Sequence, residues 1–229
     1  MVLRKLLVLA ILGCAMLMTA SAQAGLTGFY YNLDNTHPDM ERWITGLDLG
    51  YVETALTGAM PTLTAYGSTR VLQWDWWDSQ YLVGSRVDSD ADLKSNFALS
   101  FFPSIVNTGL PGDPRDFAVR WTGKFYVDED KSYNYSMGSD DDSWLFIDQG
   151  LVLDLGGVHG MSYDNYNVNL TKGYHNIDIF FAERHVVQSG FQLNFFSDLE
   201  PIPTVPEPAT LLLLGFGLLA AGLVLRKQL

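Results

Sequence analysis

Hydrophobic and polar residues alternate along several short segments in the middle of the chain. In residues 117–127 (FAVRWTGKFYV), Phe117, Val119 and Trp121 occupy every second position, with smaller or polar residues between them. Alternate side chains of a β-strand point to the same face, so this segment predicts a strand with one buried face. The same reasoning predicts strands over 71–77, 96–102, 132–137, 144–148, 151–155, 167–170, 175–181 and 191–196.

Turn-forming residues separate these segments at short intervals. Many short strands with close turns predict an all-β fold, either a β-sandwich or a barrel. One segment, 38–49 (PDMERWITGLDL), has a helical pattern. Pro38 suits the first position of a helix, and two acidic residues follow near the helix start, where they are favourable.

The aromatic content is high, at 13% of residues, and core packing accounts for most of these rings. A cluster of three tryptophans in 71–77 is different. On a strand, Trp74 and Trp76 would share one face and Trp77 would lie on the other. We therefore expect one of these faces to be a candidate for exposure to solvent, where a tryptophan ring can stack on a sugar.

The N-terminal end of the chain predicts a sorting segment. Arg4 and Lys5 precede the apolar residues 6–18, and residues 22–24 form an A-x-A cleavage pattern. Residues 1–24 are therefore predicted to be a cleavable secretory signal peptide. An uncleaved membrane anchor and a lipoprotein signal are the alternatives.

The C-terminal residues 205–229 combine three parts. The sequence Pro-Glu-Pro at 206–208 is followed by the uncharged apolar span 209–225, which is long enough to cross a bilayer, and then by two basic residues. This order resembles the PEP-CTERM sorting signal of Gram-negative bacteria. The resemblance implies export through the inner membrane, a transient anchor there, cleavage by an exosortase, and delivery to the cell surface or extracellular matrix. A permanent single-pass anchor is the alternative.

These segments leave residues 25–200 as one folded domain, joined by a proline-rich linker (201–208) to a transmembrane helix and basic tail (209–229). The one cysteine, Cys14, lies in the predicted signal peptide, so no disulfide can stabilise the domain. Residues 25–204 contain 25 acidic and 10 basic residues, a formal net charge of −15 with neutral histidines. This charge argues against a nucleic-acid partner and is compatible with a divalent cation or a neutral sugar.

Asp140, Asp141 and Asp142 lie side by side in GSDDDSWLFID (138–148), between two predicted strands. Adjacent carboxylates repel one another unless a cation neutralises them, and Ca²⁺ binds six to eight oxygen ligands. The spacing is not that of an EF-hand loop. The triplet therefore predicts either a Ca²⁺ site on a loop or a solvated acidic turn.

Three stretches of the chain are similar to the protective-antigen-type (PA14) domain, and most closely to its fibro-slime branch. They are GSDDDSWLFID with LVLDLGGVHG, LTKGYHNIDIFFAERHVVQSGFQLNF and, more loosely, FAVRWTGKFYV. The resemblance implies an antiparallel β-sandwich in which two consecutive aspartates, joined by a cis peptide bond, coordinate a Ca²⁺ that holds sugar hydroxyls. The position of Leu145 makes this pair Asp140 and Asp141. Asp141 with Asp142 is the alternative, so all three are candidate metal ligands.

Other polar residues of the same stretches are candidates for ligand binding. They are Asp154, His159 and His185. For Asp154 and His159 the resemblance favours support of the acidic residues, and a plain buried polar network is the alternative. Glu183 and Arg184 are predicted to form a structural ion pair. No His/Cys cluster has zinc spacing.

These features together predict an exported binding domain that is not an enzyme, with Ca²⁺ as its cofactor, carbohydrate or exopolysaccharide as its ligand and an exosortase acting on its tail. A structural matrix protein with no defined sugar site is one alternative. A glycoside hydrolase with Asp154 and Glu183 as its two carboxylates is another. The sequence contains no nucleophile elbow, phosphate loop or zinc-hydrolase motif.

Overall fold

A computed structural model describes residues 25–194, apart from 34–35, 41–45, 90–92, 94–100, 102, 104, 107–115 and 186–187. The predicted signal peptide, linker and transmembrane segment lie outside these residues. So does nearly all of the predicted strand 96–102. No helix within the described part of the chain is both long and apolar enough to cross a membrane.

Nine strands form two antiparallel sheets in the described part of the chain. The strands are β1 (Gly25–Asn32), β2 (Leu82–Ser89), β3 (Phe117–Val127), β4 (Lys131–Asp140), β5 (Asp142–Ile147), β6 (Gly150–Leu155), β7 (Ser162–Leu170), β8 (Gly173–Glu183) and β9 (Gly190–Asn194), with a short 3₁₀ helix at Gly67–Thr69. The larger sheet has the order β2-β1-β3-β8-β5-β6, and the smaller has the order β7-β4-β9. The predicted all-β antiparallel fold is therefore confirmed.

The two sheets pack face to face around one aromatic core. Tyr135 and Met137 of β4 and Phe191 of β9 are fully buried against Trp121 and Phe181 of the larger sheet. The rings of Trp121 and Phe191 are stacked with their centroids 4.6 Å apart. This contact joins the two layers and makes the fold a β-sandwich.

A second cluster covers the opposite face of the larger sheet. Trp76 and Trp77 pack against Trp144 of β5 and Phe180 of β8, and Trp74 is partly buried on the same cluster. The three tryptophans of segment 71–77 therefore lie on one buried cluster. The expectation of an exposed tryptophan face for sugar stacking is wrong.

The predicted strand at 71–77 is also wrong, because Asp39 takes the hydrogen bonds that a neighbouring strand would take. The carboxylate of Asp39, itself fully buried, accepts hydrogen bonds from the main-chain N–H groups of Leu72 and Gln73 at 2.7 and 2.9 Å. It also accepts one from the indole N–H of Trp76 at 3.1 Å. A side chain thus holds this segment in an irregular conformation.

The predicted helix at 38–49 is not present in the described residues of that range. Residues 36–40 form turns and 46–50 have no regular structure, while 41–45 lie outside the described residues. The N–H groups of Gly46 and Asp48 donate instead to the carbonyls of Val158 and Gly156, at 2.9 and 2.7 Å. Pairing with a distant segment therefore replaces the local hydrogen bonds of a helix.

Apart from 96–102, which lies almost entirely outside the described residues, the other predicted strands are confirmed, and β3 has the predicted bounds. The strands β1 and β2 were not predicted. The sequence of β2, LVGSRVDS, contains a glycine and only weak alternation, and this strand lies at the edge of the sheet, where all but one of its residues are exposed or half-buried. An edge strand of this kind gives little hydrophobic signal.

Candidate metal centre

The three consecutive aspartates lie where the chain passes from one sheet to the other. The strand β4 ends at Asp140 and β5 begins at Asp142, so only Asp141 connects them. The peptide bond between Asp140 and Asp141 is cis. All three side chains are buried, with relative exposures of 5%, 1% and 0%. The structure therefore excludes both an exposed loop tip and a solvated acidic turn.

Asp140 and Asp141 meet a third acid, Glu183, at the end of β8. One carboxylate oxygen from each residue lies within 4.8 Å of the others. Asp142 pairs with Ala182 in the ladder between β5 and β8, which explains why Glu183 reaches Asp141. We call Asp140, Asp141 and Glu183 the acidic cluster.

Burial and mutual repulsion act together on the acidic cluster. Burial raises the pKa of Asp141 to about 7, and the charge of Asp142 adds to this effect. The pKa of Glu183 is raised well above its usual value, first by burial and then by the charge of Asp141. Burial also raises the pKa of Asp140. Three buried like charges require either protons or a cation.

The hydrogen bonds of Glu183 leave one oxygen of its carboxylate unused. Its Oε1 accepts a hydrogen bond from the main-chain N–H of His185 at 3.0 Å. Its Oε2 is buried and makes no hydrogen bond of ordinary geometry with the described residues. A buried carboxylate oxygen is costly without a partner, so the unused oxygen is a candidate ligand for an ion.

The carboxylate of Asp141 is held in a fixed orientation by two main-chain donors. The N–H of His159 donates to its Oδ1 at 2.8 Å, and the N–H of Arg184 donates to its Oδ2 at 3.0 Å. Each oxygen keeps a second lone pair, so these bonds orient the group without preventing it from binding a cation.

Asp142 takes a different role from its two neighbours. Arg184 donates to it from Nε at 2.7 Å and from Nη2 at 3.1 Å, and the N–H of Gly157 donates at 2.6 Å. The ion pair of Arg184 is therefore with Asp142, and the predicted pair with Glu183 is wrong. Two of the three aspartates predicted as metal ligands come together in the acidic cluster, and Asp142 lies outside it.

The predicted ligand-binding residues do not join the acidic cluster. Asp154 of β6 accepts hydrogen bonds from the N–H groups of Gly50 and Gly156 and from the indole of Trp144, at 2.8, 3.0 and 2.8 Å. Asp154 therefore fixes the segment around Gly50 onto β6.

The two histidines lie closer to the acidic cluster. The ring nitrogens of His159 contact the carbonyls of Gly160 and Leu155 at 2.9 and 3.1 Å, so the ring is occupied while its main-chain N–H supports Asp141. His185 is half-buried beside the cluster, and its imidazole lies close enough to influence the carboxylate of Asp140. Ligand binding by these histidines stays a prediction.

Glu183 is the residue that sequence reasoning assigned to the wrong role. Its one signal is its position as an acid at the end of an apolar strand, directly before a basic residue. That pattern is typical of an ion pair with the neighbouring arginine, so the cluster could only be recognised once the strand order was known.

Comparison with known proteins agrees with the fold and with the resemblance of the tail. The family model of the PA14 domain matches residues 100–207, and that of the PEP-CTERM protein-sorting motif matches residues 204–228. Residues 100–207 therefore match a PA14 domain and residues 204–228 match a PEP-CTERM sorting motif, in agreement with the resemblance that the sequence indicates. Its assignment to the fibro-slime branch stays a prediction.

Relatives and solved structures resemble parts of this chain. Protein psiE of Dictyostelium discoideum is 34% identical over 117 residues, which cover 41% of this chain and 22% of psiE. The chain thus spans about a fifth of the length of the curated relatives it matches. The PA14 sugar-binding domain from an RTX adhesin aligns with 14% identity and a TM-score of 0.46, over 75% of this chain and 88% of that domain. The PA14 domain of the MpAFP antifreeze protein aligns with 16% identity and a TM-score of 0.39, over 80% of this chain and 85% of that one.

Proposed function

We propose that the protein is an exported, non-enzymatic domain that binds carbohydrate through a Ca²⁺ ion held by Asp140, Asp141 and Glu183. The observation that carries this proposal is the acidic cluster, with its three buried carboxylates and the unused oxygen of Glu183. The PA14 domain and the sorting motif support the binding role and the export.

The donor set fits calcium better than other common metals. All three side chains offer hard carboxylate oxygens, and neither cysteine nor a free imidazole nitrogen belongs to the cluster. Ca²⁺ takes six to eight oxygen ligands in a flexible geometry. Three carboxylates fill only part of this shell, so positions remain for main-chain oxygens, water and the paired hydroxyls of a sugar.

The sorting motif supports a destination outside the cytoplasm. In the proposed route, residues 1–24 direct export, the span 209–225 holds the protein in the inner membrane, and an exosortase cuts near the Pro-Glu-Pro sequence. The released domain then lies at the cell surface or in the extracellular matrix of a Gram-negative bacterium. Calcium is available there in a way that it is not in the cytoplasm, where it is kept scarce.

A structural matrix protein is the second candidate. In that case the ion would only neutralise the acidic cluster and join the two sheets, and no defined sugar would bind. The hydrolase alternative is less favoured, because the three hydrogen bonds that the carboxylate of Asp154 accepts support a structural role, in which it holds the segment at Gly50 onto β6.

Thermal unfolding of the purified chain in calcium and in a chelator tests the ion site. An ion that binds only the folded state stabilises it by about 2.7 kcal/mol at a hundred times its dissociation constant. We expect calcium to raise the melting temperature of the wild type and not that of Asp141→Asn or Glu183→Gln. Asp164→Asn, which removes an exposed acid from β7, is the matched control and should respond as the wild type does.

The melting temperatures measured in chelator provide a second test of the ion site. Glu183→Gln removes a buried like charge, and its amide oxygen can still accept the N–H of His185, so this variant should melt no lower than the wild type in chelator at neutral pH. Equal melting of the wild type in calcium and in chelator would contradict the ion site. A calcium response without binding to any glycan of a broad panel would favour the matrix protein.

A further inference from the structure

Among the described residues of β4, β7 and β9, the outer face of the three-stranded sheet contains no Asp, Glu, Lys, Arg or His side chain between the levels of Ser132 and Gly138. Pairing across the strands forms rows on this face. Tyr163, Gly138 and Gln192 form the first row, and Asn165, Ser136 and Asn194 form the second. The pairs Asn134–Asn167 and Ser132–Asn169 continue the rows along β4 and β7. We call these rows the amide face.

The amide face points away from the core. Tyr133, Tyr135 and Met137, which alternate with its β4 residues, are buried between the sheets. The β7 residues of the rows are exposed. An exposed protein surface usually carries charged residues at about a quarter to a third of its positions. Their absence here stands out in a domain with 25 acidic residues.

The ring of Tyr163 lies against Gly138 on this face. A Cβ atom placed on Gly138 would lie 2.4 Å from both Cδ1 and Cε1 of Tyr163, so the ring rests directly on the main chain of Gly138. The side chain is nevertheless 58% exposed. The ring is thus held against the sheet along its Cδ1–Cε1 edge, while more than half of the side chain faces solvent. An exposed ring held in this way is an aromatic platform that a sugar ring can contact.

The platform is next to the acidic cluster. Gly138 and Asp140 are two residues apart on β4 and share one side of the strand, about 7 Å from one another. Met161 lies between them, because its main-chain N–H is close enough to the carboxylate of Asp140 to lower the pKa of that group, and its Cε would lie 3.0 Å from a Cβ at Gly138. The rows therefore begin beside the proposed ion and lead away from it.

We propose that the amide face is a binding track for an extended, neutral polysaccharide whose chain begins at the acidic cluster and stacks on Tyr163. This inference rests on the carbohydrate binding proposed above and adds that the ligand is a polymer. Asn and Gln side chains both donate and accept hydrogen bonds, as sugar hydroxyls do. An acidic polymer would be repelled by the net charge of the domain, whereas a neutral one would not.

Binding of the purified chain to immobilised dextran, galactomannan and xyloglucan in calcium tests the track, with alginate as the acidic comparison. Tyr163→Ala should weaken binding to a neutral polymer by roughly two- to tenfold, and Tyr163→Phe should retain it. Tyr166→Ala is the matched control, because Tyr166 is 56% exposed on the same strand but points to its other side. Calcium-dependent melting should be unchanged in all three variants.

The dependence on ligand length separates the track from the ion site. Disaccharides of the same sugars reach only the ion, so Tyr163→Ala should bind them nearly as the wild type does. If Tyr163→Ala binds the polymers normally while Asp141→Asn loses them, the track is wrong and the proposed function stands. If Tyr163→Ala loses the polymers and calcium has no effect, the track stands and the ion site is wrong. If the wild type binds none of the polymers, the track is wrong, and melting in calcium with the broad glycan panel still decides the proposed function.

Discussion

The guanidinium of Arg184 donates two hydrogen bonds to the carboxylate of Asp142, and both side chains are almost completely excluded from solvent, at 2% and 0% exposure. The same guanidinium lies over the ring of Trp76, with its central carbon 4.9 Å from the ring centroid. This pair joins β5, β8 and the tryptophan cluster. It also neutralises one of the three consecutive aspartates, whereas Asp140 and Asp141 form no salt bridge with the described residues.

Removal of Arg184 should destabilise the domain strongly. Breaking a buried ion pair from one side leaves an uncompensated charge and costs about 3–5 kcal/mol. We therefore expect Arg184→Met to lower the free energy of unfolding by about that amount in a denaturant titration. Arg120→Met is the control, because the pair of Arg120 with Asp178 is partly exposed and should be worth less. Equal losses for the two variants would contradict the role of the buried pair.

Calcium binding should weaken as the pH falls through about 7. In the ion-free site burial, together with the charge of Asp142, raises the pKa of Asp141 to about 7. A protonated carboxylate does not bind the ion, so protons and calcium compete, and binding releases protons. Calorimetric titrations in buffers of different ionisation enthalpy measure both effects. An affinity that does not change between about pH 8 and pH 6 would show that Asp141 is not a ligand.

The stability of the ion-free domain should have the opposite dependence on pH. The folded pKa of Asp141 lies above its unfolded value of 3.8, so between these values the folded state binds more protons. Stability in chelator should then be highest at the acidic end of this window and fall as the pH rises from about 4 to about 7. Asp141→Asn should flatten this dependence, whereas Asp164→Asn should leave it unchanged.

Gly157 should not tolerate a side chain. Its φ is +113°, and a Cβ there would lie 2.4 Å from the carbonyl oxygen of Gly46. Gly157→Ala should therefore destabilise the domain by roughly 1–3 kcal/mol or more, through backbone strain and displacement of the segment at Gly46. Gly160 has open space around it, so Gly160→Ala should change stability by less than about 0.5 kcal/mol. Similar melting of both variants would contradict this difference.

The sequence predicted the strands of the sandwich well because their alternation is local. The bounds of β3 follow from its own pattern of apolar residues. The segment around Trp76 shows the limit of this reasoning. Tryptophan favours strands, so the local sequence predicts a strand that the structure does not contain. The carboxylate of Asp39, distant in sequence, binds the main chain of that segment instead. No local pattern contains that contact.

Part of the candidate site was also predicted from the sequence, because two of its residues are neighbours along the chain. Asp140 and Asp141 could be identified because they are adjacent in sequence and lie in a stretch that resembles a known domain. Glu183 is 42 positions beyond Asp141 and reaches it only because β8 pairs with β5. The partner of Arg184 was misassigned by the same logic, because sequence proximity to Glu183 was a weaker guide than strand order.

Asp140 ends a strand of the three-stranded sheet, and Glu183 ends a strand of the six-stranded sheet. With calcium bound as proposed, one ion is therefore shared by both layers of the sandwich. A pulling force that separates the two sheets must also remove the ion from its ligands. Unfolding of the domain under force and release of its bound polymer would then occur together. Outside the cell, the local calcium concentration would then set how much tension the domain withstands before it releases a polymer.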